Sequence, residues 1–463
     1  MSLQNSPGAA RSGLLVTISV GATLLGAAGA LAGGLGIREQ SASSQGASFA
    51  GAAAGGDLSS SFWNSAAIGI APDGLSTESH YGLILPSTDI RAENITTNAG
   101  NGTFIRSTNP GDTITLDRPA LVGASYYAWR MNKDLVLGLA VNSPFGLSNE
   151  TGNPTWSGQN FFRSAKLVTY NANPMASYQV APGLHLGAGL QIQYASLTFK
   201  ANPIAGGGAS TITQSNQTLD GDDTAFGYTL GALYQPAAGT SIGFGYRSAV
   251  RHTLDGAAFT QSGVLTTGTP FGTQPFTPIS FNANLTTPDT ATLSMRQAVT
   301  PSTRLLSTVE WTGWSKVDKI SFVATSRGGL TTTPLPTNPG ATLSVFDFHW
   351  NDGWLFSLGA EWDYSKELTF RTGLGYEISP IRSADQRYVN ITDSNRVWLS
   401  AGASYRWSQA TSFDLGYSHV LFADAAISAN TTTPGSAVTP TQHFLGMATS
   451  SADIVSVSMK TRW

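Results

Sequence analysis

The side chains able to do chemistry in this chain are few, and their spacing argues against catalysis. The six histidines, His80, His185, His252, His349, His419 and His443, are scattered. They show no Ser/His or Asp/His grouping of the kind a hydrolase needs, and strand alternation directs His419 outward. There is no cysteine, which excludes disulfides, thiolate metal sites and thiol nucleophiles. What remains is ionic. Arg247, Arg371, Arg396 and Arg406 fall on inward strand faces, as do Glu310, Glu361, Asp363 and Glu377, which reads as ion-pair networks. A carboxylate ligand would want such a guanidinium, and Arg396 is carried forward as a candidate. The net charge of -3, without a basic cluster, excludes a nucleic-acid partner. No enzyme, metal site or cofactor is expected.

The elements that position these residues follow a two-residue period. From Trp354 to Tyr364, Trp354, Phe356, Leu358, Ala360, Trp362 and Tyr364 share one strand face, and Leu355, Ser357, Gly359, Glu361 and Asp363 the other. The pattern recurs too often for a soluble core, and a closed barrel surrounded by lipid explains it. Only 11% of residues are charged, yet the alternation throughout argues for ordered strands rather than low-complexity chain.

Alternation places fourteen strands, at 79–94, 120–131, 135–147, 163–180, 184–199, 224–236, 240–258, 278–299, 303–324, 345–364, 367–379, 395–407, 411–423 and 451–463. Short turns alternate with long Thr/Gly/Asn-rich segments, the asymmetry of bacterial outer-membrane barrels. Tyr194, Tyr234, Trp362, Tyr405 and Trp407 would form interfacial girdles. The last strand ends on the aromatic Trp463, which resembles an outer-membrane sorting signal. The fold class is therefore all-β, a 14-stranded antiparallel transmembrane β-barrel.

The first residues are organised differently. Arg11, the apolar run Leu14 to Leu31 and Ala30-Leu31-Ala32 read as a secretory signal peptide over 1–32, cut near Gly33. Residues 33–76 are rich in Gly, Ala and Ser but carry Leu35, Ile37, Phe49, Phe62, Trp63 and Ile68. That is too apolar for a tail hanging in water, and a barrel this wide needs filling, so the segment is expected as a hatch inside the lumen. The barrel is assigned to 77–463.

Several runs resemble the FadL family of outer-membrane transporters. They are Gly36-Ile37-Arg38-Glu39-Gln40-Ser41-Ala42-Ser43-Ser44-Gln45-Gly46, Phe62-Trp63-Asn64-Ser65-Ala66 and Asn142-Ser143-Pro144-Phe145-Gly146-Leu147. Tyr246-Arg247-Ser248, Trp311-Thr312-Gly313-Trp314-Ser315 and Asp393-Ser394-Asn395-Arg396-Val397-Trp398-Leu399-Ser400 follow in order. The resemblance implies a monomeric barrel with an N-terminal hatch that takes up long-chain fatty acids or aromatic hydrocarbons and releases them sideways into lipid at a kinked third strand. It maps the kink glycine to Gly146 and the family's Asn-Pro-Ala hatch motif to Asn64, Ser65 and Ala66, with Ser65 departing from the Pro. The loops at about 200–223 and 259–277 look shorter than in the best-known members, which weakens transfer of a loop-borne capture site.

Independently of that resemblance, the third strand is unusual. Pro144 has no N–H to donate and Gly146 no side chain, so regular pairing should fail around Phe145. The expectation is that the Asn64 amide, reaching from the hatch, bonds the freed backbone near Phe145 and Gly146. Candidate cargo contacts are Leu35, Ile37, Phe259, Val264, Phe271 and Phe276. The rival reading is a general or substrate-specific diffusion porin for small polar solutes, which would lack the hatch. Nothing in the loops suggests an adhesin. Localisation in the outer membrane, with lipid and an apolar small molecule as partners, completes the expectation.

Overall fold

The computed structural model describes residues 34–98, 104–106, 112–153, 156, 158, 161–201, 212–213, 216–261, 264–265, 276–330, 338–432 and 440–463. The expected signal segment, Gly33 and Phe271 lie outside them. Fourteen antiparallel strands form one closed barrel. They are β1 (Leu75–Asn98), β2 (Thr113–Leu116 and Ala120–Arg130), β3 (Leu135–Asn142 and Gly146–Glu150), β4 (Ser164–Ala181), β5 (Leu184–Ala201), β6 (Asn216–Ala237) and β7 (Thr240–Arg247 and Val250–Gln261). The second half comprises β8 (Ile279–Thr287 and Thr290–Ala298), β9 (Thr303–Thr312 and Lys319–Ala324), β10 (Thr342–Asp347 and Gly353–Asp363), β11 (Leu368–Ile378), β12 (Arg396–Arg406), β13 (Thr411–Phe422 and Ala425–Thr432) and β14 (Pro440–Arg462).

Closure is made by β1 against β14, in register from Ser76↔Arg462 to Thr97↔Gln442. A closed sheet leaves no edge groups in hydrocarbon, so the register must run the full height of the wall. The alternation is obeyed: Phe356, Leu358 and Trp362 are exposed on the outside while Leu355, Ser357 and Glu361 are buried inside. The boundaries differ from expectation where strands continue beyond the apolar belt. β1 begins at Leu75, inside the span given to the hatch, and β6 and β14 begin at Asn216 and Pro440, well before 224 and 451. Above the belt there is no lipid face to read, so alternation loses its contrast there while the backbone pairing continues.

Residues Gly34 to Ala71 run inside this wall as a short helix at Ala42–Gln45, capped by the Ser41 side chain, and three 3-10 turns at Ala52–Ala54, Leu58–Phe62 and Ser65–Ile70. The barrel accepts them through inward-facing glycines. A Cβ at Gly243 or Gly245 would run into the carbonyls of Ala53 and Trp63, and one at Gly373 or Gly416 into those of Ala47 and Ala42. Glycine is needed at these strand positions because two backbones approach with nothing between them. Phe49, Ala53, Ala66 and Ile68 are consequently fully buried.

This packing makes a checkable prediction. Gly245→Leu, whose side chain would occupy the place of Trp63 and Asn64, should leave the barrel closed but unseat the 3-10 turns, with an overpacking cost of about 1–3 kcal/mol. Limited proteolysis of the detergent-solubilised barrel should then cut within 57–71 roughly tenfold faster or more than in the parent. An unchanged digestion pattern in a folded variant would show that the close approach is not required.

Candidate functional site

The wall is interrupted at β3. The β2–β3 ladder runs from Arg130↔Val136 to Ser125↔Val141 and goes no further. On the other side, β3 pairs with β4 at Asn142↔Asn171 and again at Gly146↔Val168, so four steps on β3 face three on β4. Pro144 sits in the interruption, where a missing N–H costs nothing because no ladder bond is asked of it. Thr169 of β4 bridges the break: its Oγ1 accepts from Phe145 N at 2.9 Å and donates to Phe145 O at 2.7 Å.

The other edge of the break is taken by the amino-terminal segment itself. Ile37 N donates to Pro144 O at 2.8 Å and Gly146 N donates to Leu35 O at 2.9 Å, which makes Gly36 and Phe145 an antiparallel bridge pair. The Gln40 amide adds a bond to Ser143 O at 2.9 Å. A three-residue strand thus stands in for β2, and the Ile37 Cδ1 methyl lies 2.9 Å from where a Gly146 Cβ would be. Gly146 is small so that Ile37 can fill the wall.

Ionic contacts hold this mini-strand down. Arg38 forks between Glu310 of β9 and Glu377 of β11, the latter at 3.0 Å. Gly34 N donates to Asp393 Oδ2 at 2.9 Å, and burial pushes that carboxyl up against the opposing effect of Arg396. Further along, Lys460 of β14 bonds Asp57 at 2.5 Å and Asp414 at 2.8 Å. Burial alone would raise Asp57, but Lys460 and Arg371 outweigh it and hold it well below the usual carboxylate range. His80 accepts from Ala42 N at Nδ1, 3.0 Å, and is bonded through Nε2 to Glu78 at 2.7 Å. Glu39 is the exception: it is buried with Oε2 lacking a partner, and burial pushes it up to about 7 despite Arg38 beside it.

The expected role of Asn64 is not what forms. Its amide donates to Ala53 O at 2.8 Å and Ala232 O at 2.9 Å, and its Oδ1 caps Ala66 N at 3.0 Å. Asn64 therefore ties the segment to β6, while Pro144 O and Gly146 N are served by the backbone of Ile37 and Leu35 instead. Ser65 and Ala66 lie buried against Gly187 of β5. Arg396 is also corrected. It is fully buried and paired with Asp393 and Glu377, so its charge is committed within the wall. Of the cargo candidates, Leu35 and Ile37 sit at the break, whereas Phe259 pairs with Thr218, Val264 with Thr213 and Phe276 with Leu330 in loop-side strands.

Two cavities flank the segment. One of about 50 Å³ is lined by Ile37, Phe62, Trp63, Phe145, Trp314 and Arg247, among others. Arg247 stacks 4.5 Å over Phe62 and donates to Phe62 O and Gln191 Oε1, both neutral acceptors. The other, about 660 Å³, opens at the short-turn end and is charged, lined by Asp57, Arg296, Arg304, Asp363, Arg371 and Lys460 with others. Sequence reasoning missed Thr169 and Trp314 as parts of the site. Their only signal was the WTGWS run, and for Thr169 its place opposite Pro144. Among the described residues, Asp318, Asp347 and His349 have metal-ligand spacing, but they are exposed and an ion pair from His349 to Asp347 at 3.0 Å accounts for it.

A transport barrel of the outer membrane is what the closed sheet, its apolar belt and its filled lumen define. Residues 23–463 match the profile of the family described as "Outer membrane protein transport protein (OMPP1/FadL/TodX)", and the chain belongs to that family. It is 27% identical to the long-chain fatty acid transport protein of Escherichia coli O6:H1 over 63% of this chain and 67% of that one. It is 25% identical to the putative outer membrane protein NMB0088 of Neisseria meningitidis serogroup B over 90% and 91%. Among solved structures it superposes on a Pseudomonas aeruginosa FadL homologue with a TM-score of 0.76 at 20% identity, covering 92% of this chain and 99% of that one. The Pseudomonas putida toluene transporter TodX gives 0.60 at 16% identity, covering 87% and 94%. The chain is thus an outer-membrane transport protein and not an enzyme.

Two predictions follow from the anchors of the mini-strand. Arg38→Ala leaves buried Glu310 without its cation and Glu377 with Arg396 alone, and should lower barrel stability by about 3 kcal/mol, read from urea unfolding in detergent. Glu39 binds a proton more readily folded than unfolded, since it rises from 4.5 to about 7. Its contribution is therefore full below about 4.5 and is lost as pH climbs to about 7, a swing of about 3 kcal/mol. Stability measured across that window should fall in the parent and flatten in Glu39→Gln; parallel curves would contradict it.

Proposed function

We propose that this protein imports apolar small molecules, long-chain fatty acids or related aromatic hydrocarbons, by passive diffusion as a monomer. In this reading residues 34–71 act as a hatch and the cargo leaves sideways into the surrounding lipid at the β3 break. The observation that carries the reading is the provisional pairing of that break. Pro144 O and Gly146 N are bonded to Ile37 N and Leu35 O, which can withdraw, rather than to β2, which cannot.

The charged cavity below supports a sideways exit. An apolar chain continuing straight down would meet Arg296, Arg304, Arg371, Asp363 and Lys460, then periplasmic water. Each methylene moved from an apolar place into water costs about 0.8 kcal/mol, so a long chain would pay on the order of 10 kcal/mol on the axial route. Release into lipid avoids that cost. Arg247, whose hydrogen bonds go to the neutral Phe62 O and Gln191 Oε1, is better placed than Arg396 to meet a carboxylate head, in a cavity it shares with Arg38 and Glu310. The relatives named for fatty acid and toluene transport support this choice of cargo.

The test uses the absence of native cysteine. Gly36 and Phe145 face each other between two flanking backbone bonds, the narrow pair spacing that a disulfide spans. In proteoliposomes, the oxidised Gly36→Cys/Phe145→Cys protein should import neither oleate nor toluene above background, and reduction should restore both. Undiminished uptake by the locked protein would overturn the lateral route. Fast entry of sugars into liposomes bearing the parent protein would favour a diffusion porin instead.

A further inference from the structure

The first strand carries two ionisable side chains for which the wall break has no use. Glu78 and His80 share the inward face of β1 and are only 1% and 2% exposed. Each accepts a backbone N–H of the amino-terminal segment: Ala42 N donates to His80 Nδ1 at 3.0 Å, and Ser59 N to Glu78 Oε2 at 3.1 Å. The two side chains are also bonded to each other, His80 Nε2 to Glu78 Oε1, at 2.7 Å. Ala42 opens the helix Ala42–Gln45 and Ser59 lies in the 3-10 turn Leu58–Phe62, where the first N–H groups have no partner within their own element. One pair on the wall thus holds two turns of the segment.

The bonding fixes where the proton sits. A backbone N–H can only donate, so Nδ1 must offer its lone pair. The imidazole is then neutral, with its hydrogen on Nε2 and directed at an ionised Glu78. Tyr126 of β2 covers the ring edge to face, 5.7 Å away between centroids, and its hydroxyl donates to Gln40 O at 2.9 Å.

We infer that Glu78 and His80 form a proton-sensitive clasp, in which His80 holds the helix only while its imidazole is neutral. The inference goes beyond the transport reading and holds whatever the cargo. A proton taken up in acid binds Nδ1 and turns an acceptor into a donor. The imidazolium keeps Glu78, now as an ion pair, while its new N–H points at that of Ala42. The helix is let go, and the ladders of β1 with β2 and β14 are untouched.

The surrounding charges favour that uptake. Tyr126 faces the ring from β2, and Lys460 of β14 stands opposite Glu78 in register. The segment contributes Asp57, bonded to Lys460, and Glu39, whose Cβ lies 3.7 Å from where a Gly82 Cβ would be. Asp414 of β13 joins Lys460, and Arg371 of β11 joins Asp414. The carboxylates of Glu78, Asp57 and Asp414 outnumber Lys460 and Arg371, which steadies an imidazolium. Glu78 also lines the cavity of about 660 Å³, so protons arrive from the short-turn end.

The competing explanation is a fixed tie, indifferent to pH. Hydrogen exchange of the full chain in lipid nanodiscs, corrected for the intrinsic pH dependence of exchange, separates the two. His80→Asn keeps an acceptor at the Nδ1 position and takes up no proton. Protection of residues 42–46, expressed as parent over His80→Asn, should fall about tenfold between about pH 7 and about pH 5. Glu39 is common to both chains and cancels in that ratio. Glu39→Gln, which keeps His80 and removes the opposing titration, should itself lose protection over 42–46 in acid while β14 stays protected. A constant ratio, retained protection in Glu39→Gln, or equal loss throughout β14 overturns the clasp. Uptake of oleate or toluene is measured separately, so failure of the clasp leaves the transport reading intact.

Discussion

Every backbone N–H and C=O inside a hydrocarbon layer must find a partner within the protein, since lipid offers none and each orphan costs several kcal/mol. The closure of β1 on β14 meets that demand by a ladder with one local shift of register. The junction of β2 with β3 does not, and its remedy shapes the rest of the molecule. Leu35 and Ile37 supply the missing bonds, Gly146 makes room for Ile37, and Arg38 ties the patch to two strands on the far wall. The lumenal segment is thus part of the wall's hydrogen bonding as well as filling its bore.

That arrangement divides the interior by chemistry. Toward the loops the lumen is aromatic and aliphatic, with Phe281, Phe322, Phe348 and Trp350 buried together. Toward the short turns it is ionic, with Glu361 alone shared by Arg296, Arg304 and Arg371. The segment lies at the boundary and matches both sides: Ile37, Phe62 and Trp63 join an apolar cluster, while Asp57 joins Lys460 and Asp414. Such multiply shared ions resist removal of a single member more than they add net stability, so they fix geometry.

The period-two pattern made the barrel, its strand count and the outward set readable from residues alone, because each lipid-facing side chain must be apolar wherever it falls. The pairing failure at Pro144 and Gly146 was equally legible, since it depends only on what those two residue types lack. What repairs the failure was not. The partners of Arg38 are 272 and 339 residues away, and no spacing along the chain records such a meeting. Asn64 was assigned to the break because an amide suits freed backbone groups, yet an equally suitable carbonyl, Ala232 O, stood nearer. For Arg396 the ion-pair reading with Glu377 was legible, and its second partner Asp393 lies only three residues away in the chain.

The separations just described bear on how the chain assembles. Ser48 meets Ser400, and Gln45 meets Ser456, across nearly the whole polypeptide. Contacts of that span cannot form until the intervening chain is ordered, because the entropy of closing so large a loop is compensated only by the finished sheet. The first residues to emerge are therefore among the last to settle, and the nascent molecule must hold them within the circle of strands before its two edges meet. Biogenesis of this protein is a problem of enclosure as well as of insertion.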